Sequence, residues 1–178
     1  MNINKSGEIR MKKNYKTDPQ LLTTFAGIYF LLYIFQFNDN SSFLSSSNFP
    51  NFMLIASVFT GMYFGDKIGA IFGFFIGAFV DAISYDVICF NTIFMMLCGY
   101  IGGLLIITLL NNNFRTSLIL IITASLIYYL CKFALNGFNF EIFRYSYTKS
   151  IFLTVIFSIP FYLGMNLIIK KRKKKLSE

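Results

Sequence analysis

Apolar and polar positions in this chain are grouped in long runs rather than mixed at a helical or strand period. Six apolar blocks cover residues 21–37, 51–65, 68–83, 87–110, 117–135 and 151–169. The breaks between them are polar and mostly short. They are NDNSSFLSSSNF at 38–49, Asp66-Lys67, the acidic turn from Asp81 to Asp86, NNNFR at 111–115, and NGFNFEIFRYSYTK at 136–149. Most blocks approach the ~20 apolar residues that cross a bilayer as a helix. The second and third are short, at about 24 Å each from a 1.5 Å rise. A re-entrant hairpin would leave Asp66 and Lys67 deep in lipid, at roughly 2.5–3.5 kcal/mol each. Two short crossings joined by a tight surface turn are therefore expected. Pro50 suits the first turn of the second helix, and Pro160 predicts a kink in the sixth. The pattern predicts an all-α, polytopic integral membrane protein with six transmembrane helices.

Composition agrees with this pattern. Of 178 residues, 56% are hydrophobic and only 13% charged, against about 25% charged in a soluble domain. Basic residues gather at the two ends, with five in residues 1–20 and six in the tail KKRKKKLSE. The organisation is a basic segment 1–20, a transmembrane domain 21–169 and a basic tail 170–178. The first apolar block follows basic residues as a signal peptide would. It is long, however, and no small-residue cleavage site follows, so it reads as a retained anchor. With six crossings, both ends share a side with Lys67 and Arg115, which places 13 basic residues there and leaves Lys132, Arg144 and Lys149 opposite. Positive charge stays inside, so both termini are expected in the cytoplasm, and the site is the cytoplasmic membrane. Asp39, Asp81, Asp86 and Glu141 then lie toward the outer face. The tail reads as a positive-inside anchor, or as a contact for anionic lipid or an acidic partner at about 1 kcal/mol per basic residue. As a short appendage of a membrane domain it does not point to nucleic acid.

The most patterned stretch is GMYFGDKIGAIFGFFIGAFVD at 61–81, with glycine at every fourth position and Asp81 in the next place. Residues four apart share a helix face, and small residues at that spacing let helix backbones approach closely in lipid. Gly99, Gly102 and Gly103 form a second small-residue patch. Gly65, Gly69, Gly73, Gly77, Asp81, Gly99 and Gly102 are thus the candidate packing and interaction positions. The rest of the chain is expected to fold around this ridge. Asp81 is either an interfacial cap or one half of an intramembrane pair with Lys132, near the outer end of the fifth helix. Cys89, Cys98 and Cys131 read as small apolar fillers in helices. With no histidine, no metal motif and no nucleophile beside a base, the chain is expected to be neither an enzyme nor a cofactor binder.

The glycine-spaced third segment ending in Asp, GAIFGFFIGAFVDAIS at 69–84, resembles the MreD family of rod shape-determining membrane proteins. So does the following helix, with its Cys98-Gly99-Tyr100-Ile101-Gly102 element, and so does the second helix opened by Pro50. The motifs cover roughly residues 50–105, and length and hydropathy extend the resemblance to the whole chain. It implies a non-catalytic part of the cell-elongation machinery. Its partners would be an MreC-like protein, a RodA-type glycosyltransferase with its class B transpeptidase, and MreB. Peptidoglycan synthesis would be the process served. The alternative is the substrate-binding subunit of an energy-coupling-factor vitamin transporter, also a small basic six-helix protein. Here the first block has only Ala26 and Gly27 and no small-xxx-small pair to match that family.

Overall fold

The computed structural model describes residues 19–36, 50–83, 89–108, 114–135, 137 and 146–177. All the regular structure among them is helical. The helices are α1 (Pro19–Gln36), α2 (Phe52–Phe64), α3 (Asp66–Ile83), α4 (Phe90–Thr108), α5 (Phe114–Leu135) and α6 (Thr148–Ser177). Each corresponds to one apolar block. Two stretches, Phe114–Leu135 and Thr148–Ile169, are long and apolar enough to cross a membrane by themselves. Helix α2, with 13 residues, is only about 20 Å long.

The boundary between α2 and α3 is tighter than the polar break suggests. Asp66 and Lys67 form the first turn of α3, and Gly65 alone separates the two helices. Its φ of 97° lies where an L side chain is strained. The Gly65 N–H donates to Gly61 O (2.9 Å) and its carbonyl accepts from Gly69 N–H (2.9 Å), so one residue ends α2 and begins α3. Asp66 then stands at the positive end of the α3 dipole. The start of α2 is fixed by Asn51, whose Oδ1 accepts from Leu54 N–H at 3.0 Å. Its own N–H donates to Thr154 Oγ1 of α6 at 3.0 Å.

The buried centre of the molecule is α2, not the glycine ridge on α3. Every residue of α2 except Tyr63 is buried, as expected for a helix apolar all round. Ser57 and Thr60 return their hydroxyls to Leu54 O (3.2 Å) and Ala56 O (2.7 Å), and the Thr60 and Tyr29 hydroxyls are bonded at 3.0 Å. Helix α3 is one-sided by contrast. Its glycines remove bulk from the inner face, so its large side chains Ile71, Phe74, Phe75 and Phe79 stand exposed on the other. Helices α5 and α6 pack on each other, and α6 meets α2 through Phe52–Phe157, Phe59–Phe161 and a Tyr63–Asn166 hydrogen bond of 3.1 Å. Helix α6 runs through Pro160 and on to Ser177, so residues 170–177 continue it.

Candidate functional site

Helices α3 and α4 make the most extensive contact in the molecule, and they make it backbone to backbone. A Cβ added at Gly69 would meet Gly61 Cα and Gly99 O, each at 2.5 Å. One at Gly73 would strike the Met95 carbonyl, and one at Gly77 the backbone of Asn91 and Thr92, all within 3.0 Å. Each step of four forward on α3 meets a step of four backward on α4, from Gly99 to Met95 to Asn91. The two helices are therefore antiparallel, with one four-residue stripe against another.

Gly61 of α2 enters the same joint, its missing Cβ replaced by Gly99 O and Gly103 N, while Gly103 lies on the backbone of Gly65 and Asp66. Three helices thus converge on Gly61, Gly69 and Gly99 with no side chain between them. Gly102 is looser, with 3.2 Å between an added Cβ and Val58 O, and Gly65 serves the turn. Gly61 and Gly103 were outside the candidate set drawn from sequence. The four-residue spacing of Gly99 and Gly103 is the signal that marks the second of them. Gly61 belongs to the same run as the ridge but sits on the preceding helix.

Asp81 occupies the next place in the α3 stripe, where α4 begins. Cys89 is the N-cap of α4, since its carbonyl accepts from Ile93 N–H at 3.1 Å. It is exposed with a φ of 64°, not a filler inside a helix as its composition suggested. Its side chain does not cap the N–H groups of Asn91 and Thr92, and Asp81 does so from the neighbouring helix. Asp81 Oδ1 accepts from Asn91 N–H (3.1 Å) and Asn91 Nδ2 (2.8 Å). Oδ2 accepts from Thr92 N–H (2.8 Å) and Thr92 Oγ1 (2.5 Å). Both oxygens are therefore engaged by donors at the positive end of a helix dipole, the arrangement that favours an anion.

The four hydrogen bonds that hold the Asp81 carboxylate come from Asn91 and Thr92, where the sequence suggested Lys132 as a partner. The physical reason is local. The opening turn of α4 supplies four donors and a partial positive charge, without the desolvation a buried ammonium requires. Asp81 and Lys132 instead stand at opposite ends of one series of contacts. Asn91 is fully buried, and its Oδ1 accepts from the Tyr128 hydroxyl at 2.7 Å. Lys132 Nζ lies 5.4 Å from the centre of the Tyr128 ring, within cation–π range. Tyr128 also contacts the rings of Phe90 and Phe94. Asn91, Thr92 and Tyr128 were not legible as site residues, because they are polar members of apolar blocks with no periodic mark. Asp39, Asp86, Glu141, Arg144 and the acidic turn beyond Ile83 lie outside the described residues.

What this arrangement does chemically is hold helices together. Among the described residues no three His, Cys, Asp or Glu side chains stand close enough to hold a metal ion. No curated protein and no solved structure matches the chain. The family model described as rod shape-determining protein MreD matches residues 18–172, nearly the whole sequence and all of the glycine joint. The chain therefore belongs to the MreD family and is a cell-shape-determining membrane protein.

Proposed function

We propose that this protein is a non-catalytic scaffold of the cell-elongation machinery, bridging an MreC-like protein and the peptidoglycan synthesis enzymes to MreB in the cytoplasm. In this reading the six helices cross the cytoplasmic membrane and both termini lie in the cytoplasm. The enzymes are a RodA-type glycosyltransferase and its class B transpeptidase. The observation that carries the reading is the use made of Asp81. The one acidic residue of the family-like motif has both oxygens engaged in four hydrogen bonds to the α4 N-terminus. A carboxylate so engaged serves architecture, which is what a scaffold needs and an acid–base catalyst does not. The glycine stripe supports the same reading. Helices fixed backbone to backbone present a rigid outer surface, with Gly69, Gly73, Gly77, Gly99 and Gly102 as packing positions behind it and Gly65 at the turn between α2 and α3.

Affinity purification of the tagged protein from mild detergent, with mass spectrometry of what copurifies, tests the proposal. Recovery of an MreC-like protein or of the glycosyltransferase and transpeptidase is the expected result. Recovery of a transporter coupling protein with two ATPase subunits would overturn it and move the protein to vitamin uptake.

A further inference from the structure

Helices α3 and α5 do not pack on one another, and α4 touches α5 over only a small area. At the start of α4 the three are joined through the side chain of Asn91, which is fully buried. Its Nδ2 donates to Asp81 Oδ1 of α3 at 2.8 Å, and its Oδ1 accepts from the Tyr128 hydroxyl of α5 at 2.7 Å. The amide serves both neighbours in one orientation. Turned end for end, it would set Oδ1 against Asp81 Oδ1, two acceptors with no proton between them. The carboxylate therefore fixes the amide, and the amide fixes where the hydroxyl of the buried Tyr128 donates.

We propose that Asp81, Asn91 and Tyr128 form a latch, in which the carboxylate on α3 holds α5 in place through the amide on α4. Asp81 is then more than a cap. Losing the carboxylate has two consequences in one step. The first turn of α4 loses its acceptor, and the Asn91 amide is released to turn away from Tyr128. Hydrogen bonds in such a series polarise one another where the local dielectric is low, so the two links are made and broken together. Asn91 acts in this as a positioning residue. Of the three side chains only Asp81 is less than fully buried. The hold on α5 therefore depends on the one member of the series that reaches the surface.

The test is amide hydrogen exchange of the full chain in detergent, followed by overlapping peptides. Tyr128→Phe leaves the backbone bonds from Asn91 and Thr92 to Asp81 in place. It should nevertheless speed exchange of those two amides roughly threefold, the change that an average interhelical hydrogen bond in a membrane would give. Tyr63→Phe removes the bond to Asn166 at the other end of the molecule and should leave the two amides unchanged. Equal effects of the two variants, or no effect of Tyr128→Phe, overturn the proposal. Both variants keep their rings, so both are expected to fold. A double-mutant cycle gives the second check. The melting shift of Tyr128→Phe should vanish in an Asp81→Ala background, where nothing fixes the amide. It should persist in a Thr92→Val background, which trims only the bond from Thr92 Oγ1 to Oδ2. Additive shifts in both backgrounds overturn the latch. Where Asp81→Ala does not fold, the exchange measurement decides alone.

Discussion

The α2–α3–α4 trio and the α5–α6 pair are both made of apolar helices, yet they are joined in different ways. In the trio the contacts are between backbones, at Gly61, Gly69, Gly73, Gly77, Gly99 and Gly103. In the pair and its attachment to the trio they are between large side chains, pinned by single hydrogen bonds. The pins are Tyr128 to Asn91, Asn51 to Thr154, and Tyr63 to Asn166. In lipid, helices gain no hydrophobic free energy by leaving the tails for each other, so close dispersion contact and buried polar bonds must supply the association. The trio relies on the first, with the Asp81 cap as its polar addition at one end, and the attachment of the pair to the trio relies on the second. A contact between backbones tolerates almost no added atoms, whereas a pinned contact can lose its pin and keep its rings.

The largest effect should come from adding bulk to the joint. Gly73→Leu or Gly77→Leu drives a side chain into the α4 backbone, where rotamer change gives no escape. Overpacking a well-packed core costs 1–3 kcal/mol, and a backbone neighbour sets the cost at about 3 kcal/mol or more. The folded fraction in detergent, by gel filtration or thermal melt, should fall sharply for both. Wild-type melting of either variant would dissolve the distinction between trio and pair.

Asp81→Ala should come next. It removes four hydrogen bonds and an anion from the α4 N-terminus. Losing a helix cap costs roughly 0.5–2 kcal/mol, and bonds to a charged group are worth more, so about 2–3 kcal/mol is expected. Asp81→Asn keeps acceptor capacity on one oxygen only and should fall between. Exchanging Asp81 and Lys132 adds a check on the sequence-based pairing. If the cap is the role of Asp81, Asp81→Lys with Lys132→Asp should melt no higher than Asp81→Lys alone.

These two expectations also divide what the sequence made legible from what it did not. The α3 half of the joint follows from letters alone, because glycine at every fourth residue has few purposes in an apolar block. The α4 half is hidden by Met95, a large residue that meets Gly73 with its backbone carbonyl and not with its side chain. The role of Asp81 was half legible. Its place in the stripe identified the residue, but its partners lie 10 and 11 positions away across a turn, and nothing in Asn91 or Thr92 signals an incomplete cap. The most buried helix was the least visible of all. Helix α2 is uniformly apolar, with no stripe to say which side faces inward, because all of its sides do.

A smaller effect is expected in the pinned region. Tyr128→Phe removes the hydrogen bond to Asn91 and keeps the rings against Phe90 and Phe94. Interhelical hydrogen bonds in membranes average about 0.6 kcal/mol with a ceiling near 1.7, so the loss should be about 1 kcal/mol. A loss as large as that of Gly73→Leu would mean that the α5–α6 pair is held as rigidly as the trio.

The smallest effect should have the opposite sign. Gly164 of α6 is the same residue type as Gly73 and also sits inside a helix, but a Cβ there would have nothing within 4 Å. Alanine at 164 therefore meets no backbone. It also removes the conformational freedom that makes glycine a poor helix residue, a gain of up to about 1 kcal/mol. Gly164→Ala should leave the melting temperature unchanged or raise it slightly, while Gly73→Ala, with one identical methyl, should lower it. Because the two substitutions are chemically the same, their difference isolates the neighbouring backbone as the cause. If both variants shifted alike, the proximity of α3 to α4 would not be what these glycines are for, and helix propensity alone would account for them.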